Sequence, residues 1–385
     1  MATAEERLAW IHSFEHDLVQ MRHDLHKHPE LAFKEFRTQE IVLRELQLLG
    51  LKGQKIAQTG VAVTISGAHP GKTVALRADM DALPMSDESN LPYASVHPGI
   101  CHACGHDAHT TILLGVARTL VHHRNFSGNV MLIFQPSEEQ LPGGAPSVLQ
   151  SGVLDHADAI FGLHVWQPLP FGKAATSLGP MMASPDDFTI AIKGRGGHAS
   201  MPDVTIDPIV VAAHIITALQ TIVSRSIGIQ DDAVISVTQV HAGTAMNVIP
   251  ETALLYGTLR TLTRELRDSL PHKIEQIATN IAQAFGASAE FILHRGYPAV
   301  INDPAMAKLA LETASDLFGE HNAIIADPTM GGEDFAYYLE KIPGAFVFLG
   351  MGTKHPHHHP QFDANDGVLV PGVHLLTELA LRYLG

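Results

Sequence analysis

Apolar residues near the start of the chain recur at spacings of three and four, which predicts helix across residues 5–50. These residues are Leu8, Ile11, Phe14, Leu18 and Met21. Farther along, short apolar runs typical of strands alternate with helical stretches. The predicted strands are Val61–Ile65, Val74–Ala78, Val130–Phe134, Ala159–Val165 and Ala345–Leu349, and the predicted helices are Ala108–His122, Pro304–Phe318 and Phe335–Glu340. This alternation indicates an α/β fold, a mostly parallel sheet with helices on both faces, in which ligands bind beyond the carboxyl ends of the strands.

Between these segments the order changes to strand, helix, two strands, helix and strand. The elements are Phe188–Ile192, Pro208–Val223, Ala233–Val240, Ala253–Leu259, Glu265–Phe285 and Ala289–Leu293. This order is typical of a ferredoxin-like α+β unit, and Gly179-Pro180 and Tyr297-Pro298 mark turns at its two ends. We therefore expect one domain of residues 1–183 and 298–385 and an inserted domain of residues 184–297.

Length and composition narrow the class of protein. A chain of 385 residues supports two domains, because one core rarely serves more than about 100–200 residues. Lys and Arg total 25 against 40 Asp and Glu, and the formal net charge of −15 excludes a basic surface for nucleic acid or anionic membrane. We find no apolar run of the roughly 18–20 residues that span a membrane, and the polar, acidic start lacks a signal-peptide pattern. Because two cysteines exclude a disulfide framework, we expect a soluble, cytoplasmic protein.

Histidine is unusually frequent, with 25 residues, as many as Lys and Arg together. It is the commonest metal ligand, so its clusters are candidate sites. The densest cluster is Cys101-His102-Ala103-Cys104-Gly105-His106-Asp107-Ala108-His109. Thiolate and imidazole suit zinc, nickel, cobalt or manganese better than calcium or magnesium. Two alternatives stay open, since the CxxC of Cys101 and Cys104 has the spacing of a dithiol redox site and the histidines could pack in a core without metal.

Two adjacent carboxylates, Glu138 and Glu139, follow directly after a predicted strand. Such a pair can divide its work, one carboxylate binding a metal ion and the other taking a proton from water. Asp79 and Asp81 end another predicted strand, from where they could orient ligand histidines. A solvated acidic loop and a capped turn are the ordinary explanations of these two pairs.

Histidines supply the remaining candidates. His164 interrupts an apolar run, and His355–His359 forms a histidine-rich tract. Taken singly, the first is typical of a core histidine and the second of an adventitious metal binder. Because the carboxyl ends of parallel strands meet at one edge of a sheet, the clusters together predict a site for two metal ions about 3.5–4 Å apart.

With these motifs the chain resembles a family of metal-dependent amidohydrolases that includes hippurate hydrolase, N-acyl-amino-acid aminoacylases, plant auxin-conjugate hydrolases and certain bacterial carboxypeptidases. The matching segments are Leu25–Glu30, Arg77–Met85, His102–His109, Gln135–Glu139, Gly162–Val165, Gly196–Pro202, Gly243–Pro250, Gly257–Thr261, Gly331–Phe335 and His358–Asp366. So many ordered motifs are specific for the family, but they are much less specific for its substrate.

The resemblance implies roles for individual residues in a catalytic domain that binds two divalent ions per subunit, of Zn, Mn, Co or Ni. The metal ligands that it implies are Cys104, His106, Glu139, His164 and His358. It also implies Glu138 as the general base and Asp81 as the carboxylate behind the ligands. His358 is chosen because it stands two residues before Pro360, as the family's ligand does, although His357 and His359 flank it.

For the inserted domain, the resemblance implies a lid and a surface through which a homodimer or homotetramer forms. His198 is similar to the lid histidine that reaches the active site, and Asn247 and Arg260 match positions that hold the substrate's oxyanion or carboxylate. Gly332 precedes a predicted helix whose free N–H groups could bind a carboxylate. Taken alone, His198 would be a turn residue and Arg260 half of a surface ion pair.

The expected activity is hydrolysis of the amide bond of N-acyl amino acids, either hippurate-like or N-acetylated, by metal-activated water with Glu138 as base. The expected partner is this small-molecule substrate, without nucleic acid or membrane. Three alternatives remain open. A metallo-carboxypeptidase or dipeptidase could use the same site, a CxxC oxidoreductase would work without metal, and a non-catalytic metal-binding protein would rely on the His355–His359 tract.

Overall fold

The computed structural model describes residues 2–385. These residues divide into two compact units. The first contains the chain up to Met181 together with Ile301–Asp327 and Asp334–Gly385, and the second contains Met182–Val300 and Pro328–Glu333.

The strands are, in chain order, β1 (Gln54–Ile56), β2 (Gly60–Ser66), β3 (His69–Asp79), β4 (Ser127–Gln135), β5 (Ala159–Trp166), β6 (Ala174–Thr176), β7 (Pro180–Met182), β8 (Ser184–Lys193), β9 (Gly197–His198), β10 (Ala233–Ala242), β11 (Val248–Ile249), β12 (Thr252–Thr261), β13 (Ser288–His294), β14 (Val300–Ile301), β15 (Ala323–Ile325) and β16 (Gly344–Gly350).

The α-helices are α1 (Ala4–His12), α2 (Glu15–Lys27), α3 (Phe36–Leu48), α4 (His106–His122), α5 (Ala145–Gln150), α6 (Pro208–Arg225), α7 (Arg264–Ala284), α8 (Pro304–Phe318), α9 (Ala336–Leu339) and α10 (Leu369–Leu384). Short 3-10 turns span Pro202–Val204, Glu320–Asn322 and Asp366–Val368.

The first unit is built on an eight-stranded sheet in the order β1-β2-β4-β3-β5-β16-β6-β15. Its centre is parallel, because β3 pairs in parallel with β4 and β5, and β16 pairs in parallel with β5. Asp79 at the end of β3 lies opposite Gln135 at the end of β4. Buried apolar side chains of the strands and of α4 and α10 form one core. The expected mostly parallel sheet is confirmed, and two of the predicted ligands, Glu139 and His164, lie just after β4 and within β5.

The second unit contains an antiparallel sheet in the order β10-β12-β8-β13. Along the chain, β8, β10, β12 and β13 are strands 1, 2, 3 and 4 of this sheet. Read from β13, the sheet therefore has the order 4-1-3-2 of a ferredoxin-like unit. The buried faces of α6 and α7 form a separate core with the strands, as Ile215 and Ile274 illustrate. The expected ferredoxin-like α+β fold is confirmed.

The helix expected across residues 5–50 is three helices, so that prediction is wrong in detail. The segment between α2 and α3 contains Pro29, which disfavours helix at the residue before it, and Phe33 has a left-handed φ of 55°. The same segment contacts the sheet edge, since Leu31 bridges Ala82. The loop thereby brings the carboxylate of Glu35 next to the turn that carries Glu138 and Glu139.

By length and composition alone, two helices of the described chain are long and apolar enough to cross a membrane. The windows are Pro208–Arg225, with mean hydropathy 1.4, and Asp366–Leu384, with mean hydropathy 1.2. Two thirds of the second window (67%) is buried in the first unit's core, as in a core helix of a globular protein. The first window is 33% buried and packs one face on the second sheet. No prediction above covered α10, whose Pro371 is tolerated because it lies in the first turn.

Candidate metal centre

The candidate ligands of the first unit lie where strands end and one helix begins. Glu138 and Glu139 follow β4, and His164 lies in β5. His106 starts α4, and Gly105 before it has a φ of +95°, which only glycine adopts readily. A Cβ on Gly105 would lie 2.4 Å from Cγ2 of Val165, so glycine is also required by the close approach to β5.

The five predicted metal ligands form two groups that share the sulfur of Cys104. Within each group the ligand atoms lie within 4.8 Å of one another. The first group is Cys104, His106 and His164, and the second is Cys104, Glu139 and His358. Sγ of Cys104 is 3.5 Å from Nε2 of His164, and Nε2 of His358 is 3.3 Å from Oε1 of Glu139. The structure therefore brings together all five residues.

Within the histidine-rich tract, only His358 joins these groups. Its φ of 61° and the hydrogen bond from its N–H to the carbonyl of Ala103, at 2.8 Å, turn it toward Glu139. His357 instead donates from Nε2 to the carbonyl of Val165 at 2.9 Å. Nδ1 of His359 accepts the backbone N–H of Gln361. Among the described residues, the geometry thus favours His358 over its two neighbours as the ligand.

Two carbonyl groups determine which ring nitrogen of the ligand histidines is free. Nδ1 of His106 lies 2.8 Å from the carbonyl of Asp81, and Nδ1 of His164 lies 2.7 Å from the carbonyl of Val165. A carbonyl can only accept, so each Nδ1 carries the proton and donates. Nε2 of each neutral ring consequently keeps its lone pair, as a metal ligand must.

Asp81 anchors the turn that carries the two glutamates. Its buried carboxylate accepts the backbone N–H of Glu138 at 2.8 Å and that of Glu139 at 2.9 Å. The residue before them, Ser137, has a left-handed φ of 56°, and its N–H donates to Oε1 of Glu35 at 2.9 Å. Buried carboxylates thus hold three successive N–H groups of one turn. No local pattern marked Glu35, because it lies 102 residues from Ser137.

Asp79 and His109 form the layer behind the ligands. Asp79 accepts Nδ1–H of His109 at 2.6 Å, and Nε2 of His109 accepts the N–H of Val165 at 2.9 Å. The guanidinium of Arg77 bridges Asp79 and Asp334 from the other side, and all of these groups are buried. His109 is therefore a satisfied histidine that joins β3 to β5, and its pairing orients the strand that carries His164.

The charge balance of the cluster is negative. Burial opposes protonation of His106, but Asp79, Asp81 and Glu139 outweigh it and raise its pKa to about 10. Burial, followed by the charges of Glu139 and Glu138, raises the pKa of the Cys104 thiol well above its usual range. Both shifts have one physical cause, a surplus of carboxylates in a buried place, which a divalent cation would neutralise.

Unpaired polar atoms show that the donor set suits a metal. Nε2 of His106 and Oε1 of Glu139 are buried and, within residues 2–385, make no hydrogen bond of good geometry, although Nε2 of His358 lies 3.3 Å from Oε1 of Glu139. Leaving such atoms without a partner is costly, and both point into groups of three potential ligands. One thiolate, imidazole nitrogens and carboxylates are the ligands that zinc and similar transition metals prefer.

The CxxC spacing has no redox character in the structure. Cys101 and Cys104 are free cysteines. Burial raises the pKa of Cys101 to about 12, whereas reactive dithiols need a lowered thiol pKa. This environment disfavours the oxidoreductase alternative.

The other four predicted residues belong to the second unit. Strands β9 and β11 bring His198 and Asn247 close together, since His198 pairs with Val248 and the carbonyl of Asn247 accepts the N–H of Ala199. Arg260 lies in β12, half-buried and opposite Pro185 of β8.

Gly332 loses the helix that supported its prediction. The helix after it, α9, has only four residues, Ala336–Leu339, and begins later than the predicted Phe335–Glu340. Four residues supply little of the dipole that binds anions. Gly332 instead packs closely, since a Cβ there would lie 2.5 Å from Cγ of Pro185.

Comparison with known proteins agrees with this geometry. Residues 75–382 match the model described as Peptidase family M20/M25/M40. The chain is 43% identical over 375 residues to N-acetylcysteine deacetylase of Bacillus subtilis (strain 168), covering 97% of this chain and 98% of the relative. It is 37% identical over 376 residues to thermostable carboxypeptidase 1 of Saccharolobus solfataricus, covering 95% of each.

A solved structure gives the same result. The Bacillus subtilis protein described as a dinuclear metal-binding peptidase from the M20 family is 40% identical, with a TM-score of 0.86 and coverage of 97% of this chain and 99% of that one. The family match spans most of the chain, and the expected resemblance to metal-dependent amidohydrolases is confirmed. This chain therefore belongs to Peptidase family M20/M25/M40 and is a hydrolase of that family.

Proposed function

We propose that the chain hydrolyses the amide bond of N-acyl amino acids, with Glu138 as general base. The observation that carries the proposal is the turn at Glu138 and Glu139, where one buried carboxylate, that of Asp81, anchors both backbone N–H groups. Two adjacent glutamates on one anchored turn suit a division of work between a metal ligand and a base.

Cys104, His106, Glu139, His164 and His358 would hold two divalent ions. When bound, such ions lower the pKa of water toward about 7 and polarise a carbonyl oxygen. The identity of the metal among zinc, manganese, cobalt and nickel is an outcome for experiment, because this donor set suits several of them.

Glu138 would move the proton. The residue is 7% exposed and belongs to one group of potential ligands with His106 and Glu139. In this position its carboxylate accepts a proton from the attacking water and delivers it to the leaving nitrogen, so that the amine departs neutral. The base is ready for the next cycle once the proton has left.

The second unit would contribute substrate contacts. We assign to His198 a hydrogen bond to the developing oxyanion, and to Asn247 and Arg260 contacts with the oxyanion or carboxylate of the substrate. His198 on β9 and Asn247 in the turn before β11 are both exposed, which supports a binding role. Gly332 stays in the proposal as a close-packed backbone position whose N–H could face a carboxylate.

A carboxypeptidase or dipeptidase activity is the second candidate. It is favoured by the 37% identity to a relative named thermostable carboxypeptidase 1, and it would use the same residues. The two candidates differ only in whether the acyl group is itself an aminoacyl group.

Substrate tests on metal-defined enzyme separate these candidates. Chelator-stripped protein would be given single divalent metals and assayed on benzoyl-glycine, acetyl-methionine, acetyl-cysteine, indoleacetyl-alanine and dipeptides. Metal-restored release of the amino acid from N-acyl substrates supports the proposal, and preference for dipeptides supports the second candidate. No release with any metal would contradict both.

We further propose a homodimer or homotetramer, formed through the second unit, that acts in the cytoplasm. Helix α6 supports the oligomer, because Ile209 and Val210 are each 46% exposed on the side away from its own core. The free cysteines support a reducing compartment.

A further inference from the structure

Glu35 is a buried carboxylate to which the proposed chemistry assigns no role. It lies in the loop between α2 and α3 and is fully buried. Its two oxygens accept three hydrogen bonds, from the N–H of Phe33 at 3.1 Å, from the N–H of Ser137 at 2.9 Å and from the hydroxyl of Thr59. One of these partners begins the turn that carries both functional glutamates.

That turn needs support because its first residue is strained. Ser137 has a φ of 56°, a left-handed conformation that non-glycine residues rarely adopt unless the surroundings enforce it. The side chain of Asp81 takes the N–H groups of Glu138 and Glu139 but leaves that of Ser137. Only Glu35 accepts the N–H of Ser137 among the hydrogen bonds of the described chain. Without this acceptor, the left-handed residue would keep a buried N–H unpaired.

The loop that carries Glu35 is itself attached to the same edge of the sheet. The carbonyl of Glu30 accepts the N–H of Ala82, the residue after Asp81. The carbonyl of Glu35 accepts the N–H of Gln39, and the amide of Gln39 donates to the carbonyl of Gly60. Glu35 is thus held from both sides and can determine where the turn begins.

We infer that Glu35 is a positioning residue that fixes the backbone of Ser137 and so aims Glu138 and Glu139. The inference rests on the proposed function for the roles of these two glutamates. Glu35 acts through the backbone of the turn, together with Asp81. Glu35 supplies the hydrogen-bond acceptor for the backbone N–H of Ser137.

Substitution of Glu35 by alanine tests this role. Mutation of a residue that supports a metal ligand typically lowers metal affinity or activity by about 10–100-fold. We therefore expect E35A to bind Mn²⁺ and Zn²⁺ about 10–100-fold more weakly, measured by chelator competition. At saturating metal, kcat should fall by a similar factor while KM stays within about threefold. In E35D the side chain is one methylene shorter, so its carboxylate cannot reach the N–H of Ser137, and we expect the same loss. This variant tests the inference if E35A does not fold.

Two other variants separate positioning from general loosening. E35Q keeps an oxygen for Ser137 and can donate its amide N–H to Thr59, so we expect metal affinity and kcat within about threefold of the wild type. Glu30 offers a matched control on the same loop, since its side chain also accepts three hydrogen bonds, from the N–H groups of Arg37 and Thr38 and the hydroxyl of Thr38. E30A should lower thermal stability but leave metal affinity and kcat unchanged.

The outcomes are distinct from those of the proposed function. Metal affinity reports on the turn even if no substrate in the panel is hydrolysed. Wild-type metal affinity in folded E35A or E35D would overturn the inference. An equal loss of affinity in E30A, or a loss in E35Q as large as in E35A, would overturn it too, because a structural effect or a need for charge would then explain the data.

Discussion

At the scale of single residues, neighbouring atoms decide what each side chain can do. His106 and His164 present Nε2 because backbone carbonyls accept their Nδ1–H groups, whereas His109 has both ring nitrogens engaged by Asp79 and Val165. His106 and His164 can therefore offer Nε2 to a metal ion, whereas His109 has no ring nitrogen left to offer. Glu138 and Glu139 likewise differ in their proposed tasks, although Asp81 anchors the backbone of both.

Glu138→Gln should therefore separate catalysis from metal binding. The amide keeps the size of the side chain but cannot take a proton, and general-base catalysis contributes about 10²–10⁴-fold, so kcat should fall by at least about 100-fold. Metal content by elemental analysis should stay at the wild-type value. Glu40→Gln, on the exposed side of α3, is the control and should retain full activity. Near-wild-type turnover of metal-loaded E138Q would refute the role of Glu138.

Glu35 should make stability depend on pH in a predictable direction. Burial first, and then the charge of Asp81, raises its pKa from 4.5 to about 7. The folded state therefore binds this proton more tightly than the unfolded chain, so its contribution to stability is complete below about pH 4.5 and is lost as pH rises through about 7. The shift corresponds to up to about 3 kcal/mol.

The measurement compares metal-free wild type with E35Q by denaturant unfolding at pH 5 and pH 8. The wild type should lose stability relative to E35Q between these values, because glutamine does not ionise. Histidines titrate in the same range in both proteins, so only the difference between the two is informative. Parallel pH profiles would contradict the raised pKa of Glu35, because they would show that its protonation does not differ between the folded and unfolded states in this window.

At the scale of elements, the start of α4 joins the sheet to the candidate metal centre. Gly105 adopts a φ of +95° and faces Val165 of β5 without room for a Cβ, and Cys104 and His106 flank it. The two groups of candidate ligands both include a residue of this short segment. The geometry of the centre therefore depends on one close helix-to-strand contact.

Gly105→Ala should damage folding and metal binding together. Strain at φ and the 2.4 Å approach to Val165 should lower the free energy of unfolding by about 2–4 kcal/mol and weaken metal affinity. Gly172→Ala is the matched control, since Gly172 also has a positive φ of 83° but no atom within 4 Å of its Cβ position. It should cost about 1 kcal/mol and leave metal affinity unchanged. Equal effects of the two variants would contradict this account.

At the scale of the whole molecule, the chain combines a unit that carries the candidate metal centre with one whose helix α6 is apolar on two sides. The inner side, including Val211 and Ile215, is buried on its own sheet, whereas Ile209, Val210 and Val223 are exposed. Exposed apolar side chains on one helix are typical of an interface with another protein chain. This is the physical basis for the proposed oligomer through the second unit.

Val210→Glu should therefore convert the proposed oligomer into monomer, because a charge would be buried in the interface. Light scattering coupled to size-exclusion chromatography gives the mass directly. Leu48→Glu, at an exposed position of α3 in the first unit, should leave the mass unchanged. A monomeric wild type, or a V210E protein of wild-type mass, would refute the proposed interface.

Hydrophobic periodicity by itself determined the two fold types, because buried strands such as β4 and β5 must be apolar and helices α6 and α7 must present one apolar face. The ordered motifs likewise determined the family and the residue types of the candidate metal centre. Local pattern failed where contacts came from far away, as in the loop at Glu35 and in helix α10, whose apolar run has no partner nearby in sequence. The family resemblance had already singled out His358 by its place before Pro360, and the tertiary structure added its contact with Glu139. Only the tertiary structure decided that Glu35 meets Ser137. The reason is that a backbone turn or a buried carboxylate is aimed by atoms brought close through folding, and sequence spacing carries no information about them.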